Sequence, residues 1–157
     1  MLRIGIAKIS RAATVAVAAV LLIAFVSPAT AADDVVQMDI ANAMATPDAQ
    51  ANLDGTVKFY FGQTPYPAVL RKFGEFVSNK KANGFGRSDV RGCNRAFLDV
   101  LIQFQKRAHD LGANAVINIH SYYKKDDVTV STTIPCHSGF LMDGIALKGE
   151  VVKVAAQ

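Results

Sequence analysis

The sequence is poorest in recognisable catalytic machinery. No Gly-x-x-x-x-Gly-Lys-Ser/Thr stretch occurs in its 157 residues, which excludes nucleotide hydrolysis by a Walker-type site. Gly84-Phe85-Gly86-Arg87 has glycines but not that spacing. There is no Gly-x-Ser-x-Gly and no His-Glu-x-x-His, so neither a nucleophile elbow nor a zinc-protease helix is present. Cysteine is scarce: Cys93 and Cys136 are the only two, and they form no Cys-x-x-Cys redox motif. No internal repeat or low-complexity tract is visible, and no second long apolar run follows the first. We therefore expect no enzyme activity, no catalytic residues and no cofactor.

The one long apolar run lies at the start. Arg3, Lys8 and Arg11 precede Ala12 to Val26, fifteen residues without a charge. Pro28 interrupts the run and Ala29-Thr30-Ala31 supplies the small residues of a cleavage box. This pattern predicts a secretory signal over residues 1–31, cut before Ala32 or before Asp33. A retained anchor is the alternative, but fifteen apolar residues are short for a spanning helix. No cysteine lies near the cut, so there is no lipid-attachment site. The expectation is a periplasmic or secreted protein with no membrane span after cleavage.

The basic balance of the chain, 17 Lys and Arg against 13 Asp and Glu, comes mostly from this leader. Without Arg3, Lys8 and Arg11 the remainder carries 14 basic and 13 acidic residues, a charge of +1. Nucleic-acid binding gains no support from such a balance. The remaining 126 residues suit a single domain.

Asp89 to Gly112 organises the rest. Val90, Cys93, Phe97, Leu101, Phe104, Ala108 and Leu111 recur at steps of three or four, which predicts one apolar helix face. Ser88 or Asp89 suits the N-cap, Lys106, Arg107 and His109 suit the negative end of the helix dipole, and Gly112 suits the left-handed terminator. Before it, residues 32–45 read as a loose arm, and the single domain is expected over residues 46–157. Thr46-Pro47-Asp48 opens a short helix to about Leu53. Thr56 to Phe61 and Phe73 to Val77 read as strands, and Asn79 to Arg87 as a solvated loop.

After the helix, Ala113 to Tyr123 reads as a buried strand with Ala115, Ile117 and Ile119 on one face. Lys124 to Asp127 reads as a hairpin tip. Val128, Val130, Thr132, Ile134 and Cys136 then share a strand face, with Pro135 marking an edge or a bulge. A last strand or pair runs from Phe140 to Leu147 and over Val151 to Val154. The fold class is α+β: strand, strand, helix, strand, strand, strand, with the helix on one face of a mainly antiparallel sheet.

Cys93 lies on the apolar helix stripe and Cys136 on an apolar strand face. If those faces pack, the sulfurs meet, and export would oxidise them to a disulfide. Two buried free thiols are the alternative. His109, His120 and His137 show no joint ligand spacing, so no metal is expected; His137, beside Cys136, and His120 are the weak candidates. His109 reads as a helix-end charge, His120 as a half-buried strand residue and His137 as a turn residue. Lys80, Lys81, Arg87, Arg91 and Arg95 form a basic group near the helix start, which is either a solvated surface or a patch for an anionic partner.

Leu53-Asp54-Gly55-Thr56-Val57-Lys58-Phe59-Tyr60-Phe61-Gly62, Leu111-Gly112-Ala113-Asn114-Ala115-Val116, Ser121-Tyr122-Tyr123 and Cys136-His137-Ser138-Gly139 resemble a family of small exported bacterial proteins of unknown function. Its members often carry the label "excinuclease ATPase subunit", which a chain with a leader and no Walker motif does not support. The helix, Gly-Ala-Asn-Ala-Val and the cysteine-bearing strand are more remotely similar to the Rcs envelope-stress sensor lipoprotein and to small heavy-metal-binding domains of similar fold. That resemblance implies a disulfide of nearly this spacing. The chain has neither the sensor's lipidated cysteine nor a second disulfide, and no matching metal-ligand set. The reading as a whole is a non-enzymatic binding or structural module related to envelope stress, with an envelope protein or small ligand as partner and oligomerisation left open. The alternative is a copper- or zinc-binding protein, or a small enzyme, using His137 and its neighbours.

Overall fold

A computed structural model describes residues 34–156; the expected leader and its cleavage point lie outside them. The chain runs β1 (Asp34–Asp39), α1 (Ile40–Met44), α2 (Pro47–Asn52), β2 (Lys58–Phe61), β3 (Val69–Asn83), α3 (Asp89–Leu111), β4 (Ala115–Ser121), a 3-10 turn (Tyr123–Lys125), β5 (Thr133–Ser138) and β6 (Met142–Val154). The fold is α+β, with six strands in one mixed, mostly antiparallel open sheet and α3 packed on one face.

β6 is the axis of the sheet. On one side it pairs with β3 along its whole length, from Val69 opposite Val154 to Asn83 opposite Met142. On the other side its C-terminal half pairs with β4, and its first residues pair with β5 at His137 and Ser138. β2 joins β4 in parallel, and β1 joins β5 antiparallel. The 15-residue β3 overruns the expected strand at both ends. Asn79 to Asn83, including Lys80 and Lys81, are strand and not loop, because a matching stretch of β6 lies beside them and ladder pairing outweighs their weak strand preference.

The expected loose arm is structured. Val36 lies opposite Cys136 and Met38 opposite Ile134, so β1 covers the outer side of β5. Asp39 then caps α1 by accepting from the Asn42 N–H at 2.7 Å. Thr46 caps α2 by accepting from the Ala49 N–H, with Pro47 at the first helical position as the sequence predicts.

α3 buries Cys93, Ala96, Phe97, Val100, Leu101, Phe104 and Ala108 against Val116, Ile119, Ile134, Ile145, Leu147 and Val151 of the sheet. Gly112 ends it with φ 69°, as expected. Ser88 is the N-cap through its backbone, without a side-chain cap bond. Val90 was expected on the buried stripe but is exposed: one turn before Cys93, it borders open depressions beside β1 and α2 and is not covered by the sheet.

β4 corrects the expected alternation. Asn118 adopts φ 53° at a bulge between Ile117 and His120. The extra residue shifts the parity, so Val116 and Ile119 face α3 while Ala115 and Ile117 turn to the other face. There they join Val152 and Val154 in a smaller cluster under Tyr60 and Val69. No hairpin joins β4 to β5. Instead the chain leaves through the 3-10 turn, touches Ser121 once at Val128, and starts β5 at Thr133. Pro135 stands where β5 has only β1 beside it, which is the edge environment that proline requires.

Candidate functional site

The disulfide anchors the site region. Cys93 in α3 and Cys136 in β5 are bonded, with Cα atoms 5.9 Å apart and both residues fully buried. The packing of an apolar helix face on an apolar strand face brings the sulfurs together, and no free cysteine remains. The bridge ties the N-terminal third of α3 to the sheet.

On the outward side of that tied segment lies a groove of about 610 Å³. Arg87, Ser88, Val90, Arg91, Asn94, Arg95 and Leu98 form one wall, and Thr46 and Asp48 at the start of α2 form the other. Arg91 and Arg95 stand four apart on one face of α3, and Arg87, just before the N-cap Ser88, lines the groove with them. Arg95 is held in a two-point pair with Asp99, Nη2 to Oδ1 at 3.1 Å and Nε to Oδ2 at 3.2 Å. Arg87 and Arg91 make no ion pair among the described residues.

The five basic residues singled out in the sequence therefore divide. The three arginines share the groove. Lys80 faces α3 from β3 and lines a separate depression with Asp99, Ile102, Gln103 and Lys106. Lys81, one residue on, points to the opposite face of the sheet. Thr46 and Asp48 were not legible as site residues, since nothing local to them signals that α2 would fold back against α3.

The histidines lie apart from the groove. His109 Nε2 is 2.8 Å from the Thr56 hydroxyl and 3.4 Å from Asp54. The Thr56 hydroxyl and N–H that donate to Asp54 hold its carboxyl below the usual carboxylate range. His120 and His137 both stand on the face of the sheet away from α3. His137, expected in a turn, is in β5 opposite Gly144, and His120 is opposite Lys148. These partner positions are four residues apart along β6, roughly 13 Å at strand rise.

Both ring nitrogens of His120 are engaged, Nδ1 with the Asn118 carbonyl at 2.7 Å and Nε2 with Asp127 at 2.5 Å. Lys148 donates to the same Asp127 oxygen at 2.7 Å and lies over the Tyr122 ring. Lys148 and then His120 hold the Asp127 carboxyl below its usual range, and Asp127 raises Lys148. The His137 ring stacks on Tyr123 with centroids 3.3 Å apart. Among the described residues no three His, Cys, Asp or Glu side chains are grouped as a metal centre requires.

No protein-family model, curated protein or solved structure matches the chain.

Proposed function

We propose that this chain is an exported, disulfide-stapled, non-enzymatic binding module that takes an anionic ligand or an acidic segment of an envelope protein in the groove along α3. The carrying observation is the placement of Arg87, Arg91 and Arg95 on one wall of a 610 Å³ groove, with Arg87 and Arg91 free of ion pairs among the described residues. Guanidinium groups bind carboxylate and phosphate through parallel N–H donors, and the Ser88 hydroxyl, which makes no side-chain cap bond, adds a neutral partner. The first turn of α3 adds the positive end of the helix dipole. The disulfide supports the reading twice: it holds the arginine-bearing turns rigid, and such bonds persist in oxidising compartments. The apolar run of residues 12–26 and the resemblance to exported envelope proteins point the same way.

The test is an NMR titration of the purified protein with pyrophosphate. The expected result is saturable shifts at Thr46, Arg91 and Asn94 that weaken with salt and vanish in Arg87→Gln/Arg91→Gln. Shifts confined to other surfaces, or none at millimolar probe, would remove the groove from consideration. Intact mass of the exported form should correspond to a chain starting at Ala32 or Asp33; a mass including residues 1–31 would replace export by anchoring. Stoichiometric copper or zinc in protein purified from the envelope, lost in His137→Ala, would favour the metal-binding alternative.

A further inference from the structure

At one end of the sheet two turns meet and expose apolar side chains. Phe85 belongs to the β3–α3 connection, and Phe140, Leu141 and Met142 to the β5–β6 turn. The Gly84 N–H ties the turns together by donating to the Leu141 carbonyl at 2.9 Å, and the β5–β6 turn is closed by the Gly139 N–H donating to the Met142 carbonyl at 3.1 Å. The Phe85 and Phe140 rings meet edge to face with centroids 5.7 Å apart. Yet Phe140 is 82% exposed, Phe85 62%, Leu141 59% and Met142 46%. Neighbouring large apolar side chains held in water by a hydrogen-bonded frame are a feature of interaction surfaces.

Cations stand around this tip. Lys81 on β3, Gly144 on β6 and His137 on β5 form one row across the open face, directly behind the tip. Tyr123 stacks on His137, and the Lys124 ammonium lies over the Tyr123 ring at 5.2 Å, which brings Lys124 into the same row. Asp34, opposite Ser138, and Asp89 in the first turn of α3 add negative charge, whereas Asp143 is enclosed. Exposed aromatic and aliphatic tips with lysines set behind them match an anionic bilayer: the apolar groups enter the acyl boundary while the cations remain at the headgroups.

We propose that the Phe85–Phe140–Leu141–Met142 tip docks peripherally on an anionic phospholipid bilayer, with Lys81 and Lys124 against its headgroups. The groove on α3 is a different surface and is not required for this.

The chain contains no tryptophan, so Phe140→Trp creates a single reporter at the tip. The protein, purified without detergent as the cell processes it, is mixed with vesicles of phosphatidylcholine alone or with phosphatidylglycerol. The expected result is a move of Trp emission to shorter wavelength, and quenching by bromines on the acyl chains, with the anionic vesicles and far less with the neutral ones. In that background Phe85→Ser or Leu141→Ser should weaken vesicle binding about tenfold. Lys81→Glu/Lys124→Glu should weaken it roughly fivefold or more and flatten its salt dependence. All four positions are exposed, so folding is preserved, which far-UV circular dichroism checks. Unchanged emission with anionic vesicles, or an equal response to neutral ones, overturns the proposal. A shift that rises with protein concentration without vesicles also overturns it, by assigning the tip to a second copy of the chain.

Discussion

Gly92 in α3 lies directly against the Asp143 carboxylate of β6: a Cβ at Gly92 would stand 1.6 Å from Oδ2 and 2.7 Å from the carboxyl carbon. Asp143 is 1% exposed, and its Oδ1 accepts from the Ser138 hydroxyl at 2.6 Å. The contact is next to Cys93, so the same helical turn carries the disulfide and the gap for the carboxylate.

An exposed helical glycine is improved by alanine by about 1 kcal/mol. Here the sign should reverse. Gly92→Ala should destabilise by about 2–4 kcal/mol, because it must displace an enclosed carboxylate or lift the helix from the sheet. In an Asp143→Ala background the same change should be neutral or stabilising. Urea unfolding of the four proteins measures this; a Gly92→Ala cost independent of residue 143 would disprove the contact.

The disulfide closes 43 residues of sequence, worth about 4 kcal/mol in the chain-entropy account. Cys93→Ser should lower the Tm by roughly 10–15 °C, and Cys93→Ser/Cys136→Ser should be no worse than either single change. Thiol titration of the denatured, unreduced protein should find no free cysteine. Two titratable thiols per chain, or a Cys93→Ser protein as stable as the parent, would remove the bridge.

Asp127 and Lys148 predict a pH profile. The depressed carboxyl stabilises the fold above the ordinary value of about 3.9, and this is lost as pH falls through its lower folded value. The raised ammonium stabilises below about 10.4, and this is lost as pH rises through its higher folded value. The pair should therefore hold through neutral pH and weaken at both ends. By NMR the Asp127 carboxyl should titrate below 3.9, and Lys148→Met should move its midpoint upward. A midpoint indifferent to Lys148→Met would contradict the pairing.

Gly62, at the end of β2, has φ 56°, and a Cβ there would stand 1.9 Å from the Val130 carbonyl oxygen. Gly62→Ala should cost about 2–4 kcal/mol, from backbone strain and displacement of the segment before β5. Faster amide exchange at Val130 and Ile134 would accompany it. A substitution that leaves urea stability unchanged would show that this close approach is absent in solution.

Much of this protein is legible in short windows of sequence. The three-and-four spacing from Cys93 to Ala108, Gly112 as terminator, Thr46-Pro47 as a helix start, and the strand face bearing Ile134 and Cys136 all act over a few residues, and all are found in the structure. Both cysteines are legible as buried positions; that α3 packs on the face of β5 so that the sulfurs meet was decided by the tertiary structure. The tertiary structure alone decided what depends on distant neighbours. β1 is a strand because β5 lies beside it, and Lys80 and Lys81 are extended because β6 matches them. Asn118 bulges to bring Val116 and Ile119 to one face, and Thr46 and Asp48 line a groove because α2 returns to α3. Ladder bonds and close packing between segments tens of residues apart fix these features, and no periodicity within a segment encodes its partner.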